Sequence, residues 1–209
     1  MEIIYIRVKV WEDVLASYSS LELRYGWQPS DPESWTNQYG YFSYGLGYYI
    51  GFIGDPDIFG TPNALFAFIN IPLSDHNRRN VFQISPAVGL SFSLEPYDPI
   101  TNPDNDSVGG RFATYISLGF GAEYRISNKW DLLYGIDYTH FSIARLYTPN
   151  FGFNMYGLNL GFRYLYNADQ IKLNKEPNNS LILPARFKRL KKTKNTKLNE
   201  SSIEVFAGF

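Results

Sequence analysis

Residues 81–94 read Val81-Phe82-Gln83-Ile84-Ser85-Pro86-Ala87-Val88-Gly89-Leu90-Ser91-Phe92-Ser93-Leu94, and this stretch decides the fold. Its even positions are Phe, Ile, Pro, Val, Leu, Phe and Leu, and most of its odd positions are small or polar. A period of two sends these sets to opposite faces of an extended strand, whereas a helix would scatter both around its circumference. The pattern returns in 41–52, where Phe42, Tyr44, Leu46, Tyr48, Ile50 and Phe52 oppose Tyr41, Ser43, Gly45, Gly47, Tyr49 and Gly51. It returns again in 111–126, with Phe112, Ile116, Leu118, Phe120, Tyr124 and Ile126 against Arg111, Ser117, Gly119, Gly121, Glu123 and Arg125.

Extending this reading along the chain gives eight strands, over 3–11, 18–27, 40–53, 63–72, 80–94, 110–126, 129–142 and 151–166. Ser127-Asn128-Lys129 makes a short turn, and 95–110, rich in Pro, Asn and Asp, makes a long loop. If short turns gather at one end, the 143–150 loop belongs with 95–110 at the other, while 28–39 is long for a turn.

In a soluble sandwich the solvent face carries many charges. Here the second face is rich in Gly and Ser, as a narrow barrel lumen requires, and few charges are expected on it. Tyrosines on the apolar face near strand ends suit an interfacial girdle. The expected fold class is therefore all-β: an antiparallel transmembrane β-barrel of about eight strands, with a flexible basic C-terminal tail. A soluble lipid-binding β-barrel is the alternative architecture.

Composition agrees. Aromatic residues make up 18% of the 209 residues and charged residues only 19%, and the net charge of −1 argues against nucleic acid as a partner. Without cysteine, neither a disulfide framework nor a thiolate metal site is available, and no metal or cofactor is expected. No apolar run is long enough for a transmembrane helix, but a barrel crosses with short strands whose other face is polar. The start, Met1-Glu2-Ile3-Ile4-Tyr5, lacks the basic region and apolar core of a signal peptide, so a mature or truncated product is expected.

Residues 1–167 thus read as the barrel. Residues 168–200 read as a basic linker, with Arg186, Lys188, Arg189, Lys191, Lys192, Lys194 and Lys197 solvated or near anionic headgroups. In 201–209 Ile203, Val205, Ala207 and Phe209 alternate again, as an extra strand or the start of a truncated second module.

The chain has two histidines. His76 lies in the polar turn Ser74-Asp75-His76-Asn77-Arg78-Arg79 and reads as solvated. His140 continues the apolar series Leu132, Tyr134, Ile136, Tyr138, so it shares the outer face with Ser142. Residues two apart on a strand have Cα atoms about 6.5–7 Å apart, within reach of an imidazole–hydroxyl contact. Histidine can take the proton that makes a serine hydroxyl a nucleophile. Taken alone, His-x-Ser is a weak signal that better suits a structural histidine near the aromatic girdle. Gly45-Leu46-Gly47 lies within a strand and reads as lumen packing, not a cofactor loop.

The segment His140-Phe141-Ser142-Ile143-Ala144-Arg145-Leu146-Tyr147-Thr148-Pro149-Asn150-Phe151-Gly152-Phe153-Asn154-Met155 resembles the signature of PagL-like lipid A 3-O-deacylases and their acyloxyacyl hydrolase relatives. That pattern runs His-x-Ser-Asn, a short loop, Pro-Asn-x-Gly, then a polar residue and a last strand. The likeness reaches back through Trp130-Asp131-Leu132-Leu133-Tyr134-Gly135 and Leu94-Glu95-Pro96-Tyr97-Asp98-Pro99, covering roughly 18–167. It implies an outer-membrane barrel hydrolysing an ester-linked acyl chain of lipid A, with lipopolysaccharide and outer-membrane lipids as partners. It further implies Ser142 as nucleophile, His140 as general base and Asn154 as the group orienting the histidine. Parity puts residue 154 on the same outer face, an agreement that does not depend on the family pattern.

Two departures bear on activity. Asn154 stands where the best-known members have a carboxylate, a change that in a serine protease triad costs about 10⁴ in rate. Ile143 stands where the pattern has an asparagine near the oxyanion, and loss of one such donor costs about 10²–10³ elsewhere. Asn150 or a backbone N–H is the candidate substitute. A catalytically inactive barrel of the same family is the second functional reading.

Overall fold

The computed structural model describes residues 2–12, 17–29, 41–75, 78–143, 146–166 and 202–206. His76, the 168–200 segment with its basic run, and most of the 28–39 connection lie outside the described residues. The strands are β1 (Glu2–Glu12), β2 (Ser17–Trp27), β3 (Ser43–Ile53), β4 (Gly60–Pro72), β5 (Asn80–Leu94), β6 (Ala113–Arg125), β7 (Trp130–Ser142), β8 (Phe153–Leu165) and β9 (Ser202–Phe206). A one-turn helix, α1 (Pro56–Phe59), begins after Asp55, whose carboxylate accepts the Asp57 N–H.

Each strand pairs antiparallel with the next from β1 to β8, and β1 also pairs with β8, closing the sheet. The expected all-β antiparallel barrel is the fold. At the seam between β2 and β8, Ile4 and Ile203 each stand opposite Tyr25 and Tyr164. Ile6 and Val205 likewise share Leu23 and Phe162 as register partners.

The strand ends joined by the β4–β5 and β6–β7 turns lie at one end, where β2 also ends and β3 begins, and 54–59, 95–112 and the end of β7 with the start of β8 lie at the other. Between the ends runs an apolar outer band, with Leu46 at 63% and Leu158 at 62% exposure. Tyrosine and tryptophan flank it, as in the Trp27–Tyr44 and Trp130–Tyr164 contacts, with centroids 6.0 and 4.8 Å apart.

The lumen differs from the expected Gly- and Ser-lined, sparsely charged face. Arg163 lies between Glu123 and Asp131, at 2.5 and 2.6 Å. Arg24 pairs with Glu22 at 3.1 Å and sits over the rings of Phe66 and Phe68. These charges are tolerated because each has an opposite partner inside; removing one partner of a buried pair costs about 3–5 kcal/mol. Towards the loop end the lumen is filled by an aromatic cluster of Tyr49, Phe66, Tyr115 and Phe141, with centroids 5.1–5.6 Å apart. Gly47 leaves room for it, since a Cβ there would lie 2.2 Å from Phe66 Cζ.

Two local expectations fail for backbone reasons. Ser93 adopts φ 64, a left-handed bulge that flips the parity, so Leu94 turns inward and is buried instead of continuing the outer face. The alternation of Arg111 and Phe112 has no structural counterpart, because β6 starts only at Ala113 and both residues are exposed in the loop.

Candidate functional site

The β7–β8 hairpin builds the site. Phe141 is fully buried in the aromatic cluster, and this anchor forces its neighbours His140 and Ser142 onto the outer face. Truncating such a buried aromatic to Ala costs about 3–5 kcal/mol. On β8 the register sets Asn154 directly opposite His140, also facing outward.

His140 Nδ1 lies 2.9 Å from Asn154 Oδ1. An amide oxygen only accepts, so with Asn154 turned this way the bond requires the imidazole proton on Nδ1 and leaves the lone pair on Nε2, the tautomer a general base requires. Tyr138 donates its hydroxyl proton to the same Asn154 oxygen at 2.6 Å, and its ring stacks beside the imidazole at 13° between planes.

The loop after β7 shapes the other side of Ser142. The Ile143 side chain points into the core and is only 3% exposed, so this residue meets the site through its backbone alone. Its N–H donates to Asn150 Oδ1 at 3.1 Å. The same amide lies against Ser142 Oγ, its Oδ1 accepting from the hydroxyl at 3.5 Å and its Nδ2 3.4 Å away. Gly152 has φ 70, and a Cβ there would fall 2.6 Å from the Phe141 carbonyl oxygen and 3.0 Å from His140 Cε1. The imidazole therefore occupies space that only glycine leaves open.

A second loop supports the first. The Gly152 N–H donates to Ser107 O at 2.8 Å and the Phe151 N–H to Asp106 O at 3.4 Å. Buried Asn105 holds that loop: its amide donates to the carbonyls of Ile58 and Glu95, and its oxygen accepts from the N–H groups of Ser107 and Val108. Nearby, N–H donors of Thr101 and Ile100 hold the Asp98 carboxyl below the usual carboxylate range.

Of the residues singled out in the sequence, His140 meets Asn154, Ser142 meets Asn150, and Ile143 contributes its N–H to Asn150. Sequence reading missed Tyr138, Gly152 and Asn105. Parity could have found Tyr138, which precedes His140 by two on the same face. The other two depend on a loop conformation and a contact between loops.

A family model described as lipid A 3-O-deacylase (PagL) matches residues 19–163. The crystal structure of the outer membrane enzyme PagL superimposes with a TM-score of 0.53 at 15% sequence identity, over 78% of this chain and 98% of that one. At that identity the likeness bears on the fold alone. No curated protein matches the chain significantly.

Proposed function

The chain belongs to the PagL family of lipid A 3-O-deacylases, and from that premise we propose that it is an outer-membrane serine esterase removing an ester-linked acyl chain from lipid A. The single observation carrying this reading is the 2.9 Å contact between His140 Nδ1 and Asn154 Oδ1 on the outward face of the barrel, beside Ser142. A catalytic group on that face meets acyl chains, where a soluble enzyme would keep its nucleophile in a water-filled cleft.

In this scheme Ser142 Oγ attacks the ester carbonyl as His140 Nε2 takes its proton. The oxygen of the tetrahedral intermediate gains negative charge, and Asn150 Nδ2 is the side-chain donor nearest to hold it. Contacts of this kind are often long before substrate binds. Collapse expels the sugar hydroxyl with the proton carried by His140. Water, deprotonated in turn by His140, then releases the fatty acid from Ser142.

A second reading, a barrel that keeps the fold but not the turnover, is favoured by the neutral Asn154 and by Ile143, whose side chain gives no donor. A soluble lipid-binding barrel is disfavoured by an outer face this apolar along its full band. Mass spectrometry of lipid A from cells expressing the wild type or Ser142→Ala tests the proposal. Loss of one acyl chain with the wild type only is expected; identical acylation in both rules out catalysis by Ser142.

A further inference from the structure

The phenol of Tyr138 takes no part in the scheme above, yet it and His140 Nδ1 converge on one atom, Asn154 Oδ1. A primary amide has an accepting end and a donating end. Turned one way, Asn154 places the imidazole proton on Nδ1 and leaves Nε2 free to act as a base. Turned the other way, it donates to Nδ1, drives the proton to Nε2 and leaves no base facing the serine. The register of β7 against β8 fixes where the amide is, but not which way it faces. A carboxylate would face no such choice, because both of its oxygens accept.

The Tyr138 hydroxyl lies 2.6 Å from Asn154 Oδ1 and donates to it. A phenol donates more strongly than it accepts, because its lone pair is shared with the ring, so it favours the accepting end of the amide. The Tyr138 ring is itself held, packed 5.0 Å from Tyr156 and 6.3 Å from the imidazole between centroids. We propose that Tyr138 is a positioning residue that fixes the orientation of the Asn154 amide and through it the tautomer of His140. This rests on the reading of His140 as the base, and it explains how a neutral amide serves where a carboxylate is expected.

The test is ¹⁵N NMR of the imidazole in the full chain refolded in detergent micelles, at alkaline pH where the ring is neutral. A His76→Gln background leaves His140 as the one labelled imidazole. The Nδ1–H form should dominate with Tyr138 present, and Tyr138→Phe should give a mixture in which Nε2–H prevails. Adding Asn154→Asp to Tyr138→Phe should restore Nδ1–H, a rescue that lost ring packing would not produce. Dominant Nε2–H with Tyr138 present, unchanged Nδ1–H in Tyr138→Phe, or no recovery in the double variant each overturns the proposal. In the deacylation assay Tyr138→Phe should lower kcat about tenfold with KM unchanged, less than the roughly 10²–10⁴-fold carried by an acid–base group itself. If Ser142→Ala proves as active as wild type, the catalytic reading fails while the tautomer result stands on its own.

Discussion

At the scale of single residues, the site is a matter of what one atom can offer. Asn154 orients an imidazole but cannot stabilise imidazolium by charge. Asn154→Asp is therefore expected to raise kcat, by a factor bounded by the roughly 10⁴ that the reverse change costs a serine protease. Steady-state deacylation of purified lipid A measures it. Gly152→Ala should act in the opposite direction. Its φ of 70 suits glycine, and an alanine there costs roughly 1–2 kcal/mol. The new methyl group also crowds His140 Cε1, so activity should fall further than stability in paired turnover and urea-unfolding measurements. The outward facing of His140, Ser142 and Asn154 was legible in the sequence because the period of two continues through β7 and β8. Tyr138 was not, because a phenol at the end of an outer strand looks like any girdle tyrosine until its hydroxyl is seen on Asn154.

At the scale of strands, alternation was enough to predict β3 to β8 closely, since a slip of one residue would turn every side chain to the wrong face. It failed where the backbone leaves the regular pleat, at Ser93 and before Ala113. It also undercounted charges within the lumen, since a charged residue in an alternating strand is ordinarily read as solvent-facing. Arg163 on β8 ties Glu123 of β6 to Asp131 of β7. Arg163→Met should remove the cation that both carboxylates share and cost about 3–5 kcal/mol, read from chemical unfolding in micelles.

For the molecule as a whole, the defining property is an inside-out distribution of polarity: paired charges in the lumen and Leu, Val and Phe outside. Leu158→Arg, in the middle of the outer band, should destabilise the folded protein by about 2–4 kcal/mol in a bilayer. The same change on a soluble barrel would be close to neutral, so folding titrations into lipid vesicles distinguish the two settings. The sequence made this inversion legible through periodicity, while the way the loops at one end brace each other depends on contacts between distant segments, such as Asn105 to Ile58.

The outward placement of Ser142 also sets how the protein encounters what it acts on. On the proposed reading, with the hydroxyl on the outer wall, enzyme and substrate meet in two dimensions, by sideways diffusion within one leaflet. The governing quantity is then the mole fraction of substrate among its neighbours, and diluting the leaflet with inert lipid should slow turnover even when the bulk concentration is unchanged.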